Sequence, residues 1–437
     1  MSRELLPLVR VDNKNSIARA VARVRGKPGD LSKVMESAAA IVETVRKAGD
    51  PALLRYSKEL DGVDMKAGEI RVSQSELDGA LDQASPKLVE AMRFALRRIQ
   101  RTQGQLLSRL AFSYVCDGFV VRSVVRPLDS VGCYVPGGKA AYASTVLMTA
   151  GVAKLAGVRR ILICTPANRQ GKVAGPILAA ARLCGVDEVY KVGGAQAVAA
   201  MAYGTRTIPR VTKIVGPGGI YVSAAKRLVS AEVPIDFFAG PTEMVVVADS
   251  KADARLVAWD LMAQAEHGAD GVSCLVTWDE KLANRVKKFV EDVSPKLERS
   301  ELIQATMRKG VTILCKTREL AIETANAIAP EHLELMVEDP VKMAESIEDA
   351  GLILAGPFAP GAASDYSVGT DHVLPTEGVA KQRAGLTALD FVKVNWVVEG
   401  SKQGLKGLLP SLKELALAEG LPNHFLSAQA RFRKDAK

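Results

Sequence analysis

The chain carries four histidines in 437 residues, and each has a carboxylate one to five residues before it. His267 lies in Gln264-Ala265-Glu266-His267-Gly268, and His332 follows Pro330-Glu331. His372 stands in Asp365-Tyr366-Ser367-Val368-Gly369-Thr370-Asp371-His372, and His424 ends Glu419-Gly420-Leu421-Pro422-Asn423-His424. Imidazole beside carboxylate is the material of metal sites and of general acid–base catalysis.

Gln264 and His267 are three apart in a segment, Asp253–His267, that reads as a helix, so they share a face. Gly268 is then expected to cap the helix and leave the pair at its end. An amide oxygen, an imidazole and a distant carboxylate suit zinc; a polar pair on a helix surface is the alternative. Glu331 and His332 fall where a helix passes into a strand. Adjacent acid and base could abstract a proton and activate water, or form a solvated turn. Asp365 and His372 share a segment with Gly361, Gly369 and Pro375 that reads as a long irregular loop, a kind that is usually functional or disordered. Glu419 and His424 lie on a tail, where solvent exposure is the simpler reading.

These residues need a scaffold. Residues 13–110 read as helices. Val34, Ala38, Ile41, Val42 and Val45 recur at helical spacing, Gly49-Asp50-Pro51 breaks the run, and Ser85-Pro86 opens another. From Val120 the rhythm becomes extended and ends at Tyr134-Val135-Pro136-Gly137-Gly138. Strand and helix then alternate through Ile161–Ile163, Val189–Val192, Lys213–Val215, Met244–Val247, Cys274–Val276, Thr312–Leu314, Leu333–Val337 and Leu352–Leu354. Such alternation predicts parallel sheets covered by helices. Two runs meeting near Gly240-Pro241-Thr242 suggest two α/β domains with a cleft between them, and ligands are expected at strand carboxyl ends. The Gly216-x-Gly218 turn before a helix could hold a pyrophosphate or be a tight connection. The strict GxGxxG pattern is absent. Beyond residue 385 the rhythm stops. Leu405–Leu417 reads as an amphipathic helix on a tail too small to own a core, so it must dock elsewhere.

Composition narrows the class. Hydrophobic residues make up 48% and aromatics 5%, so the core must be aliphatic. The net charge of +9 fits a solvated mixed surface or attraction of acidic ligands. No basic block is interleaved with aromatics for stacking bases, which argues against nucleic acid. Six cysteines, none in a CxxC pair, point to reduced thiols in a cytoplasmic protein. Cys164, Cys274 and Cys315 sit in strand-like runs and read as core; Cys133, beside a turn, is open. Met1-Ser2-Arg3-Glu4 has no apolar signal core, and no run approaches the ~18 apolar residues of a membrane span.

Several segments, in order, carry a resemblance to the histidinol dehydrogenase family. They are Val131-Gly132-Cys133-Tyr134-Val135-Pro136-Gly137-Gly138, Gly193-Gly194-Ala195-Gln196-Ala197, Lys213-Ile214-Val215-Gly216-Pro217-Gly218, Ala239-Gly240-Pro241-Thr242-Glu243, Gln264–His267, Glu331-His332-Leu333 and 365–376. The resemblance implies a homodimeric enzyme that uses zinc and NAD to oxidise L-histidinol to L-histidine through histidinaldehyde. It places zinc ligands at Gln264, His267, Asp365 and His424, the general base at His332 and the water-activating residue at Glu331. Thr242, His372 and Glu419 match substrate contacts, to which the zinc ligands and His332 also belong. Tyr134, Gln196 and Gly219 match cofactor contacts. The tail is expected to reach into the partner's site.

The expected fold is α/β, with two incomplete doubly wound, Rossmann-like domains, a helical N-terminal region and a small C-terminal dimerisation arm. The expected division is an N-terminal arm at 1–30, a larger domain from 31–133 plus 243–386, an inserted cofactor domain at 134–242 and the arm at 387–437. The chain departs from the family pattern at Gly219, where Asn is usual, at Thr242 for Ser, Asp371 for Asn and Gly268 for Asp, and at Pro422-Asn423. Two other readings stay open: a relative that oxidises another small polar alcohol, such as a sulfonated diol, and a non-catalytic basic protein that binds nucleic acid around a structural zinc.

Overall fold

The computed structural model describes residues 4–25, 31–137, 140–238, 240–268 and 270–432. Gly138, Ala239, residues 1–3 and part of the expected N-terminal arm lie outside them. In chain order the strands are β1 (Leu8–Val11), β2 (Ser113–Cys116), β3 (Phe119–Pro127), β4 (Ser130–Tyr134), β5 (Arg160–Cys164), β6 (Glu188–Tyr190), β7 (Lys213–Val215), β8 (Glu243–Ala248), β9 (Val272–Thr277), β10 (Val311–Cys315), β11 (His332–Met336), β12 (Leu352–Ala355) and β13 (Val392–Gly400).

Two of the sheets are wholly parallel. One runs β1-β10-β9-β8-β11-β12, the other β6-β5-β4-β7. Every residue of β8, β10 and β11 is buried, as expected of strands covered by helices on both faces. Residues such as Val245, Val247, Ile313 and Leu335 pack with Ala321 and Ala325 of the helix Arg318–Ile328. The smaller sheet packs Leu162, Cys164 and Ile214 against the alanine-rich helix Gly194–Tyr203.

Local signals explain many boundaries. Ser85 caps the helix Pro86–Ser108 by accepting from Leu88 N–H, with the proline in the first turn, where its missing donor costs nothing. Gly49, at φ 62°, separates the helices Leu31–Ala48 and Asp50–Leu60. Other boundaries differ from the sequence reading. The helix before His267 spans Ala254–Ala265 and is capped by Glu266, so His267 sits in the following turn and Gly268 is no cap. His267 N–H still reaches back to Gln264 O at 3.2 Å, which keeps the pair together. Asp365 lies in a short helix, Gly361–Tyr366, rather than in an irregular loop.

The tail is more structured than its rhythm suggests. β13 pairs antiparallel with β3 along its whole length, and β2 adds a third strand. The helix Lys402–Ala418 buries only Gly404 and Ala416. Trp396, Val398, Leu415, Leu417, Leu421 and Leu426 stay exposed, an unusual amount of apolar surface for one small layer. Among the described residues no helix is long and apolar enough to cross a membrane. All six thiols are free. Five are buried, Cys133 among them, and burial pushes its pKa up to about 12.

Candidate active site

A cleft of about 440 Å³ lies between the two parallel sheets. Tyr134, Pro136 and Gly137 after β4, and Pro217, Gly218 and Gly219 after β7, form one wall. Those are strand carboxyl ends, as expected. The opposite wall breaks that rule. Thr242 precedes β8, Glu331 precedes β11 and His332 opens it, so the acid–base residues stand at strand amino ends. Gln264 and His267 join them because a helix leading into a parallel strand finishes where that strand begins.

His332 occupies the middle. Its ring is 3% exposed, with Nδ1 at 3.7 Å from Glu331 Oε2 and Nε2 at 3.6 Å from Asp365 Oδ1. Burial opposes its protonation, but Glu331 and Asp365 outweigh that penalty and raise the pKa. Among the described residues neither ring nitrogen has a hydrogen-bond partner. A buried imidazole with both nitrogens unpaired is costly in a structural role and suits one that exchanges protons.

Glu331 is held on one side. Its Oε2 accepts from Thr242 Oγ1 and from Glu243 N–H, each at 2.7 Å. Gln264 Nε2 donates to Thr242 Oγ1, leaving the amide oxygen of Gln264 for another partner. Asp365 completes the ring of contacts, with Oδ2 at 4.0 Å from His267 Nε2. His372 donates from Nδ1 to the Asp365 carbonyl at 2.7 Å, because a carbonyl can only accept. That fixes its tautomer and turns Nε2 toward Thr145 Oγ1 at 3.4 Å. Burial lowers the His372 pKa, which favours the neutral ring.

The donor set fits a metal incompletely within one chain. Gln264, His267 and Asp365 line one cavity and offer an amide oxygen, an imidazole and a carboxylate, a mixed N/O set that zinc accepts. His424 and Glu419 are exposed on the arm and line no part of this cleft; His424 faces a separate groove with Phe119 and Leu412. Among the described residues no three His, Cys, Asp or Glu side chains form a metal-holding group. The opposite wall suits a dinucleotide. Glycines precede the helix Ile220–Val229, and a Cβ on Gly219 would meet nothing within 4 Å, so a phosphate can approach the helix N-terminus. Tyr134 lines the cleft and accepts from Gly194 N–H at 3.1 Å. Gln196 is buried, donates to Asp61 at 3.4 Å and does not line the cleft.

Sequence reasoning gave no role to Glu243, the acid behind Glu331. It is buried, and desolvation, with Glu331 nearby, pushes its pKa up to about 7. The available signal was an acidic residue opening an otherwise apolar strand, beside Thr242.

A cleft between parallel sheets, with a buried imidazole flanked by carboxylates on one wall and a glycine loop on the other, has the layout of an α/β enzyme with an acid–base centre. The sequence profile of histidinol dehydrogenase matches residues 25–432. Histidinol dehydrogenases from Methanothermobacter thermautotrophicus and Methanosarcina mazei are 43% and 41% identical, over 92% and 94% of this chain and 95% and 94% of theirs. The crystal structure of histidinol dehydrogenase from Elizabethkingia anophelis superposes with a TM-score of 0.91 at 33% identity, covering 98% of both chains. The chain belongs to the histidinol dehydrogenase family, and it is an oxidoreductase.

Proposed function

We propose that this enzyme oxidises L-histidinol to L-histidine through histidinaldehyde, with zinc and NAD, in a homodimer whose sites are shared. The observation that carries the reading is His332, buried between Glu331 and Asp365 opposite a glycine loop.

Gln264, His267 and Asp365 would hold the metal, with His424 from a partner. When bound, zinc supplies a Lewis acid that orients the substrate's imidazole, and NAD accepts a hydride in each half-reaction. His332 takes the proton of the substrate hydroxyl as the carbon loses hydride, giving the aldehyde. Glu331 takes a proton from water as the oxygen attacks the aldehyde carbon, and the former carbonyl oxygen takes up a proton, giving the hydrate. Loss of a second hydride and a proton from that hydrate gives the acid. The sum is one alcohol, one water and two NAD⁺ converted to one carboxylate, two NADH and three protons. Thr242 keeps Glu331 in place, and His372 contacts the substrate together with Glu419 of the partner subunit. Tyr134, Gln196 and the backbone at Gly219 serve the cofactor; Gln196 does so by backing the 193–194 turn.

The proposed division keeps a cofactor domain at 134–242 and a catalytic domain at 243–386; residues 31–133, expected with the latter, instead bring Val42, Leu53, Met92 and Leu96 to the core of the smaller sheet, and β1, expected in an N-terminal arm, pairs with β10 of the larger one. The arm at 387–437 would dock on the second subunit, which the exposed apolar residues of β13 and its following helices support. Free, mostly buried thiols support a cytoplasmic setting. The test is NADH yield from histidinol with zinc present. Two NADH per histidinol are expected; one, or none with histidinol but turnover of another small alcohol, would overturn the reading.

A further inference from the structure

We propose that the buried pair Lys226–Asp236 is a positioning device for the cofactor: it grips Gly216 by its N–H and its C=O, in the peptides before and after that residue, and so sets the loop 216–219. The proposal rests on the dinucleotide reading of the cleft.

Lys226, on the helix Ile220–Val229, is 1% exposed and Asp236 5%. Lys226 Nζ donates to Gly216 O at 2.5 Å and to Asp236 Oδ1 at 2.6 Å. Asp236 Oδ2 accepts from Gly216 N–H at 2.7 Å, and Oδ1 also accepts from Phe237 N–H at 2.7 Å. Both charges are therefore satisfied, and they converge on a single residue. Burying an ion pair costs several kcal/mol per ion before its attraction is counted, and an apolar pair of similar volume often stabilises as well. A purely structural link between helix and strand needs no charges. What this pair adds is direction, since the two successive peptides that flank the Gly216 Cα are held at once, one by its amide and the other by its carbonyl.

That residue needs fixing. Gly216 sits at φ 112°, where only glycine is comfortable, and a Cβ there would lie 2.1 Å from Tyr134 O. The next residues, Pro217, Gly218 and Gly219, line the cleft beside Tyr134. Gly219 contributes no side chain, so this wall relies on backbone placement. Neither Lys226 nor Asp236 lines the cleft, so the pair acts through the loop.

The experiment is fluorescence titration of NADH, and separately of histidinol, with zinc-loaded full-length protein. Lys226→Met and the double variant K226M/D236N are compared with wild type, with circular dichroism and thermal midpoints checking the fold. The double variant leaves no lone buried charge and covers the case in which Lys226→Met does not fold. We expect NADH affinity to fall about tenfold or more while histidinol affinity stays within about twofold. Asp236→Asn, which keeps an oxygen for Gly216 N–H, should fall less, about threefold. A lower thermal midpoint with NADH affinity unchanged would reduce the pair to a structural link and overturn the proposal. Wild-type protein that binds histidinol but no NADH would overturn the dinucleotide reading and the clamp with it, whereas tight wild-type binding unaffected by either variant would overturn the clamp alone.

Discussion

Glu331 and Glu243 hold each other reciprocally. The Glu331 carboxylate accepts from the Glu243 amide at 2.7 Å, and the Glu243 carboxylate accepts from the Glu331 amide at 3.3 Å. The other oxygen of Glu243 takes the Glu377 amide at 3.0 Å. The amino ends of β8 and β11 are thus locked beside His332, and Glu331 spends only Oε2 on the lock.

Replacing Glu243 should therefore disturb Glu331 more than the rest of the site. In Glu243→Gln one acceptor becomes a donor, and it must face either the Glu331 or the Glu377 amide. Oxidation of histidinaldehyde in a single turnover should slow about tenfold, corresponding to a lost or reversed hydrogen bond. NADH affinity should be unchanged. Equal losses in aldehyde oxidation and NADH binding would mean that Glu243 supports the whole cleft rather than Glu331.

His332→Ala should slow histidinol oxidation on the order of a hundred- to ten-thousandfold, the span typical for loss of a general base. Glu331→Ala should affect the aldehyde half most, since water attacks only there. Both variants should keep the wild-type circular dichroism spectrum. A double variant that turns over at the wild-type rate would remove the pair from the mechanism. Stripping zinc with a chelator should abolish turnover, and restoring zinc should return it.

Glu334 lies two residues along the same face of β11 from His332 and is fully buried. Burial, and then the charge of Asp260, push its pKa up to about 9, and burial pushes Asp260 up to about 6. Glu334 is the member of the pair that keeps its proton at neutral pH. A carboxyl with a folded pKa above its ordinary 4.5 is bound to a proton that the unfolded chain releases. Stability is then greatest below about 4.5 for this group and falls as pH rises toward 9. Glu334→Gln keeps a donor toward Asp260 and needs no proton. Its thermal midpoint at pH 8 should exceed that of wild type by about 2–4 °C, with the gap closing toward pH 5. A gap that does not depend on pH would exclude a protonated Glu334.

Gly219→Asn should fit. The position caps its helix at φ −66° and ψ 177°, ordinary extended backbone, and a Cβ meets no atom within 4 Å. Asn is a good N-cap, and its amide would stand at the cleft wall. NADH should bind about fivefold more tightly, the equivalent of one added hydrogen bond. Unchanged binding would show that residue 219 serves the cofactor through its backbone alone.

The chemistry was legible in the sequence wherever the working residues are neighbours. Gln264 with His267, and Glu331 with His332, could be read as pairs because local spacing alone brings them together. The alternation of short aliphatic runs likewise announced the parallel sheets. What was hidden depends on long-range pairing. β13 alternates Val392, Val394, Trp396 and Val398 with Lys393, Asn395 and Glu399, but it stands alone after the strand–helix rhythm has ended, and its partner β3 lies far back in the chain. The site's position at strand amino ends follows from how two sheets face each other. The role of Glu243 exists only because Glu331, 88 residues away, packs against it.

His424 provides the sharpest test of the arm. It is exposed on the helix Pro422–Gln429 and is not among the residues lining the cleft with Gln264, His267 and Asp365. If it acts in the opposite subunit, His424→Ala and Asp365→Ala should each give inactive homodimers. Mixed by co-expression in equal amounts, they should form heterodimers that pair one chain's intact Asp365 with the other's intact His424. Each heterodimer then has one complete site and one doubly damaged site. Random pairing makes about half the dimers heterodimers, so about a quarter of the wild-type activity should return, as two-fold symmetry requires. Zinc content should recover in step. If the arm instead folded back onto its own cleft, every chain in the mixture would lack one ligand, and neither activity nor zinc would return at any ratio.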